Sequence, residues 1–225
     1  MKKIIKKKIT NKIICQKIRK SIIENSFKAK ACHIGSALSC VEILIKIFNK
    51  IKKKDIFLFS KASGVCALYS ILAEKGIIPY NKIAFYLKKY PLPSKEVPNI
   101  IHSVGSLGHG LPVATGLALA DKKRDVYILM SDAELQCGTT WECLLFIKQH
   151  KLKNLKIYVD NNGLQACGAI KDILNLPYNF LKKNRFKIIK TIKGKGIDFM
   201  EKKFEWHYFN LNPVLYEKAI LQIPN

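Results

Sequence analysis

Arginine is nearly missing from this chain. Only Arg19, Arg124 and Arg185 stand among its 40 basic residues, and acidic residues number 16, leaving a formal charge of +24. Proteins that read nucleic acid usually rely on arginine for bidentate contacts, and here the lysines are scattered along the whole length. Lysine, isoleucine and asparagine are abundant together, as codons rich in A and T would supply. The charge is therefore read first as composition, and only second as a surface for polyanions. A nucleic-acid partner is not expected.

Other absences narrow the class. No apolar run approaches the length of a membrane span. The opening "MKKIIKKKITNKIICQKIRK" has no long apolar segment before a small-residue cleavage site, and it lacks the Arg/Ser bias of a transit peptide. A cytoplasmic protein without membrane contact is the expectation. Seven cysteines form no CxxC pair and no Cys/His ligand spacing, so neither zinc nor a disulfide is expected. With 12 Gly and 8 Pro against 48% apolar residues, the chain is globular and not disordered or collagenous.

What is present alternates. Residues 9–24, a basic N-terminal segment, and 38–50 have helical spacing, the latter with Leu38, Val41, Leu44, Ile45 and Phe48 on one face. "DIFLFS" (55–60) is a short apolar run typical of a buried strand. A helix fits 65–75, closed by Gly76. Residues 80–104, with Pro91, Pro93 and Pro98, read as a long irregular connection. A Gly-rich turn then enters a helix of small residues over 104–120. Strands at 125–130, 155–159 and 185–192, a helix at 139–150 and a polar tail with Trp206 and His207 complete the pattern. Strands alternating with helices predict an α/β fold, a mostly parallel sheet with helices on both faces. Residues 1–225 are expected to form one domain.

The chemistry gathers at two strand ends. "LMSDAELQCG" (129–138) delivers Asp132, and "YVDNNGLQACG" (158–168) delivers Asp160, Asn161 and Asn162. In open parallel sheets ligands bind beyond the carboxyl ends of the strands, where connections diverge. A carboxylate, an amide and a backbone carbonyl are hard oxygen donors suited to magnesium, which takes its remaining ligands from phosphate and water. Each feature also has a plainer reading. Asp132 and "DNNG" are ordinary turn residues, Glu142 can close a capping box with Thr139, and the Gly-rich 105–110 can be only a tight turn.

Taken together, these segments resemble transketolase, in its amino-terminal, diphosphate-binding part. Ser131-Asp132-Ala133 stands where the family has G-D-G, and Asn162 follows Asp132 by thirty residues. "ELQCGTTWE" resembles E-L-x-E-G-x-x-W-E, and "FLFSKASGVCALYSILAEKG" the S-K-G-H segment. "ACHIGSALSCVEIL" resembles S-G-H-x-G-x-x-L-S, "GSLGHGLPVATGLALA" the Gly-rich stretch facing the thiazolium, and "TIKGKGIDFMEKKFEWHY" the closing T-x-K-G-K-G…W-H-G. The match runs in order from about residue 10 to 210. It implies the thiamine-diphosphate-binding fold, with thiamine diphosphate and Mg2+ as cofactors. Asp132, Asn162 and the Leu164 carbonyl would hold the metal. Gly105, Ser106 and Leu107 would lie beside the cofactor ring, with Ser63, Asp132, Ala133, Glu134 and Asn162 also contacting the cofactor. His33, His207 and Glu142 would be the catalytic set.

Departures from the family pattern are equally plain. Ser63 replaces the S-K-G-H histidine, Ala133 a glycine, and Cys137 a glutamate of the acidic relay. Tyr208 replaces the W-H-G glycine, and 80–104 has no H-P element. These changes fit either an altered substrate or a decayed site. The family's aminopyrimidine-facing carboxylate is on a second domain. The resemblance therefore implies a hetero-oligomer with a separate pyrimidine-domain subunit, and two-carbon ketol transfer between sugar phosphates. A 2-oxo-acid-type thiamine enzyme is the nearest alternative.

Overall fold

Apolar residues in the strands alternate between two faces, so each strand feeds two cores at once. In β2 (Val126–Ser131) Tyr127 and Leu129 point to one core, while Val126, Ile128 and Met130 point to the other. The computed structural model describes residues 2–224, with side chains from residue 9 onward. Within it β1 (Ile56–Phe59), β2, β3 (Leu155–Asn161) and β4 (Lys187–Lys190) form a parallel sheet in chain order.

Strands laid down in chain order put the helices that return the chain to each next strand on one face if the connections share a hand. Helices α6 (Gly110–Ala120), α7 (Gly138–Gln149), α8 (Ile170–Ile173) and α9 (Tyr178–Lys183) do so, burying Leu111, Leu144, Ile170 and Leu181 with Ile128, Met130, Ile157 and Val159. The opposite face is left to α1 (Lys2–Ala29), α2 (Ile34–Ser39), α3 (Val41–Phe48), α4 (Val65–Glu74), α5 (Ile83–Lys89) and α10 (Pro213–Leu221). Their Ile22, Leu38, Leu44, Leu68, Ile83 and Ala219 close over Phe59, Leu129 and Tyr158.

This layering makes connections diverge at the carboxyl edge although strand order never reverses. After β1 the chain turns into α4 in one layer, and after β2 into α7 in the other. After β3 it runs to Ile170 of α8, and after β4 it returns to the first layer through Ile197 and Met200. Loops from both layers therefore meet at the carboxyl edge.

Several expectations need correction. The first helix extends over Lys2–Ala29, well beyond 9–24, although the side chains of its first turns lie outside the described residues. The helix expected at 38–50 is two, α2 and α3, separated at Cys40 (φ −97, ψ 4). The irregular connection 80–104 holds a helical turn at Tyr80–Lys82 and then α5, where Ile83 and Leu87, one turn apart, are both buried. The polar tail is folded: Trp206 is buried in the first core, and α10 begins at Pro213 with Asn212 as cap, its Oδ1 accepting from Leu215 N at 2.8 Å. Proline at the first helical position and asparagine before it are an ordinary helix start. Among the described residues no helix is long and apolar enough to cross a membrane.

Gly110 fixes how closely α6 approaches β1, since a Cβ there would lie 2.2 Å from Ser60 Oγ and 2.5 Å from Ser60 Cβ. Gly116 in the same helix faces open space. Gly110→Ala should therefore cost about 1–3 kcal/mol through overpacking. Gly116→Ala should gain about 0.5–1 kcal/mol of helix propensity. Urea denaturation of the two variants checks this; effects of the same sign would contradict the packing described.

Candidate functional site

The strand ends are held in register by the backbone itself. The Leu129 carbonyl accepts from Ser60 N at 2.9 Å and from Lys61 N at 3.0 Å, which turns the chain after β1. Asp132 N donates to Asp160 O at 3.1 Å, and Thr191 N donates to Asn161 O at 3.0 Å. Lys61, Asp132, Asp160 and Thr191 thus form one row.

Asp160 is the hub of that row and has no solvent exposure. Its Oδ2 accepts from Lys61 Nζ at 3.1 Å and from Ser39 Oγ, while Oδ1 accepts from Thr191 Oγ1. A buried charge is costly unless paired and hydrogen-bonded, and this one is both. Burial alone would drive the Lys61 ammonium toward neutrality. The carboxylates of Asp160 and Asp132 outweigh it and hold Lys61 above the ordinary lysine value.

Asp132 lies beside this pair, also buried. Its Oδ1 accepts from Ala133 N at 3.0 Å and its Oδ2 from Gly163 N at 2.7 Å. Burial is the largest influence on its carboxyl, opposed by Lys61 and reinforced by Asp160, and the balance pushes it up to about 6. Gly163 adopts φ +78, where glycine carries no Cβ penalty. Asn162 Oδ1 accepts from Leu164 N at 3.0 Å, and Leu164 is bridged to Ala169. Asp160 and Asn161 still belong to β3, so only Asn162 and Gly163 make the turn. That same turn is stitched to Asp132 by the Gly163 hydrogen bond. The expected metal donors (the Asp132 carboxylate, the Asn162 amide oxygen and the Leu164 carbonyl) stand on these two joined loops. As a hard oxygen set with few members, they fit magnesium that keeps places for phosphate and water.

A second group comes together from distant sequence. His33, at φ +66, donates its N–H to His207 O at 3.0 Å, and the two rings meet edge to face at 4.7 Å. Lys193 Nζ lies 3.3 Å from His207 Nδ1 and 3.3 Å from Gln165 O, tying the histidines to the Asn162 loop. Burial, then the charge of Lys61, brings Lys193 down to about 8. Burial, then Lys193, His33 and Lys61, brings His207 down to about 3, and burial with Lys193 and Lys61 also lowers His33. Both imidazoles are thus shifted toward the neutral form, in which one ring nitrogen donates and the other accepts.

Other expected residues are placed differently. Gly105, Ser106 and Leu107 form the exposed turn before α6. Ser63 is half-buried in the helical turn Ala62–Gly64, directly after Lys61. The Ala133 N–H, expected to face a phosphate, is given to Asp132 Oδ1. Glu134 is fully buried, and its carboxylate is used by Ser60 Oγ, Ser131 N and Ser131 Oγ. Glu142 is placed apart from it, exposed on α7, and no capping box with Thr139 exists because Cys137 is the N-cap. Thr139 Oγ1 instead donates to Gly108 O at 3.3 Å.

Sequence reasoning missed Lys61 and Lys193 as site residues and left Asp160 without a role. The signal was present, since Lys61 lies in "FSKAS" at one strand end and Lys193 in "TIKGKG" after another. In a chain so rich in lysine, two buried ones do not stand out.

The fold has close counterparts. It superposes on transketolase from Campylobacter jejuni with a TM-score of 0.82 at 22% identity, covering 93% of this chain and 42% of that one. This is a likeness of fold, to less than half of that enzyme. A sequence family described as 1-deoxy-D-xylulose-5-phosphate synthase matches residues 1–218. An apulose-4-phosphate transketolase subunit of Actinobacillus succinogenes is 33% identical over 240 aligned positions, covering 84% of this chain and 87% of that protein. The subunit of the same name from Phocaeicola vulgatus is 32% identical over 258 positions, covering 92% of each. The chain belongs to the transketolase family of transferases, as a counterpart of members that are themselves named as subunits.

The elevated Asp132 carboxyl has a signed consequence. Its folded value of about 6 lies above the ordinary 3.8, so its contribution to stability is full below about pH 4 and is lost as pH rises through about 6. Relative to Asp132→Asn, the metal-free wild type should lose about 1.4 kcal/mol per pH unit across that window, up to about 3 kcal/mol. Denaturation of both proteins in chelator from pH 4 to 7 checks this. Parallel profiles would mean that Asp132 is not forced up by its surroundings.

Proposed function

We propose that this chain is the diphosphate-binding subunit of a two-subunit transketolase, transferring a two-carbon ketol unit between sugar phosphates with thiamine diphosphate and Mg2+. Residues 1–225 act as a single diphosphate-binding unit, and a separate pyrimidine-domain subunit completes the site in a cytoplasmic hetero-oligomer. The observation that carries this reading is the 2.7 Å hydrogen bond from Gly163 N to Asp132 Oδ2, which joins the two loops bearing the oxygen donors. Both relatives are named as one subunit of a transketolase, which supports a partner chain.

When bound, thiamine diphosphate supplies the nucleophilic carbon that takes up and releases the two-carbon unit. The chain's own residues bind and orient. Asp132, Asn162 and the Leu164 carbonyl hold the metal, and through it the diphosphate. Lys61 and Lys193 add positive charge behind an anionic ligand, where a low-dielectric setting strengthens each interaction. The turn Gly105–Leu107 lines the ring side of the cofactor. His207, whose Nδ1 faces Lys193 Nζ, keeps Nε2–H as a donor, and His33, whose Nδ1 faces Cys32 Sγ, keeps its Nε2, so each has one ring nitrogen suited to hydrogen-bond substrate hydroxyls. Ser63 keeps a hydroxyl near Lys61 but cannot become a cation.

Calorimetric titration of thiamine diphosphate with magnesium, into this chain alone and with a pyrimidine-domain partner, tests the proposal. Binding should tighten with the partner. Asp132→Ala should weaken magnesium-dependent binding by at least about tenfold while the fold persists, as loss of a charged ligand implies. Equal affinity in wild type and Asp132→Ala would remove the site assignment.

A further inference from the structure

The β1–β2 ladder ends at the pair Phe59–Leu129, before the residues that matter to the site. Beyond it a side chain takes over the pairing. Glu134 accepts from Ser60 Oγ through Oε1, and from Ser131 N (2.7 Å) and Ser131 Oγ (3.0 Å) through Oε2. Ser60 immediately precedes Lys61, and Ser131 immediately precedes Asp132. Adjacent Cα atoms are fixed about 3.8 Å apart, so a clamp on the two serines governs the two charged residues that follow.

The clamp is itself held on two sides. Thr140 Oγ1, in the first turn of α7, donates to Glu134 O at 2.7 Å. Gly110 packs so close to Ser60 that a Cβ there would lie 2.2 Å from its Oγ, which leaves the serine little freedom to swing away. A carboxyl group in a fully buried place, used wholly on two strand ends, is a costly way to fill space. Its geometry gives it a task.

We propose that Glu134 is a positioning residue: its carboxyl group pins Ser60 to Ser131 and so sets the separation of the Lys61 ammonium from the Asp132 carboxylate, and with it the grip on a magnesium–diphosphate group. The second half of this statement rests on the row being the cofactor site. The pin itself concerns only this chain.

Ser60→Ala cuts the pin on the β1 side and leaves Glu134 in place. Glu134→Ala removes it altogether. Glu134→Gln preserves it, because the amide oxygen still meets Ser131 while the Ser60 hydroxyl reverses its role and accepts from the amide N–H. Two measurements on the full chain read the outcome. The first is hydrogen exchange without cofactor, in segments 60–64, 131–136 and, as a control, 155–159. The second is magnesium–thiamine diphosphate affinity in the presence of the pyrimidine-domain partner.

Faster exchange in the first two segments with the control unchanged is expected for Ser60→Ala and Glu134→Ala, and near wild-type exchange for Glu134→Gln. Affinity should fall about tenfold in each alanine variant, the size of effect that one buried hydrogen bond to a charged group supports. The double alanine variant should be no weaker than Glu134→Ala alone, since both cut one link. Glu134→Gln should restore affinity; a purely space-filling role for Glu134 predicts the same of Gln but no effect of Ser60→Ala, so the two variants together separate the readings. Multiplying effects in the double variant, or wild-type exchange in Ser60→Ala, would overturn the proposal. If Glu134→Ala does not fold, the contrast between Ser60→Ala and Glu134→Gln decides the question. If the wild type binds no cofactor, the cofactor-site reading fails, and the exchange data still judge the pin.

Discussion

Everything at the carboxyl edge of the sheet depends on one buried carboxylate. Asp160 joins the end of α2 through Ser39, the turn after β1 through Lys61, and the end of β4 through Thr191. Those contacts come from three separate parts of the chain and both edges of the sheet. An unpaired carboxylate in that place would cost several kcal/mol, so the three partners are not free to drift apart. The hub converts a backbone topology into a fixed arrangement of charges.

From that constraint the electrostatics follow. Two buried lysines and two buried aspartates share the row and its margin, and each moves the others. Lys61 is held charged by the aspartates, and Asp132 is pushed up by burial and by Asp160. Lys193 and His207 are pulled toward their neutral forms, first by burial and then by neighbouring cationic groups. The row is polar, sealed and already organised, which is the condition under which fixed charges act strongly on a ligand. A metal-bound diphosphate would meet charges that need no rearrangement.

The architecture was largely legible because it rests on local pattern. The apolar runs at 56–59, 126–131 and 155–161 are strands within a residue or two of where their composition puts them, and Gly76, at φ +70, ends α4 as a helix-closing glycine should. Asp132 and Asn162 were legible because each follows such a run. Boundaries failed where tertiary contact overrode local signals. Prolines at 91, 93 and 98 hid α5, whose Ile83 and Leu87 are secured by packing against α1 and α4. Trp206 and α10 were hidden because few of their side chains are buried and that burial is tertiary, with the turn holding Trp206 on α2 and α10 on α1. Lys61 and Lys193 sit at strand ends as a site residue should, but their roles, like that of Glu134, are defined by partners distant in sequence (Asp160, His207 and Ser60), which spacing alone does not reveal.

The departures from the family pattern acquire physical meaning in this frame. Ala133 opens a short helical turn, Ala133–Gln136, and is not among the residues with positive φ. The freedom that a glycine offers is therefore not needed there, and alanine is at ease. Cys137 occupies the N-cap of α7 at φ −80 and ψ 135, packed where Gly108 passes so closely that a Cβ on that glycine would lie 2.7 Å from the cysteine Cβ. A compact side chain suits that approach, and the longer glutamate of the family pattern would have to leave it at once. Ser63 loses a potential cation, yet Lys61 two residues earlier and Lys193 across the site keep positive charge facing the same loops. None of the three changes disturbs the Asp132–Gly163 link or the Asp160 hub. Of the three, Ser63 is the change that removes a side chain able to become cationic. The three changes thus leave intact the buried charges and the loop link on which the proposed cofactor site rests.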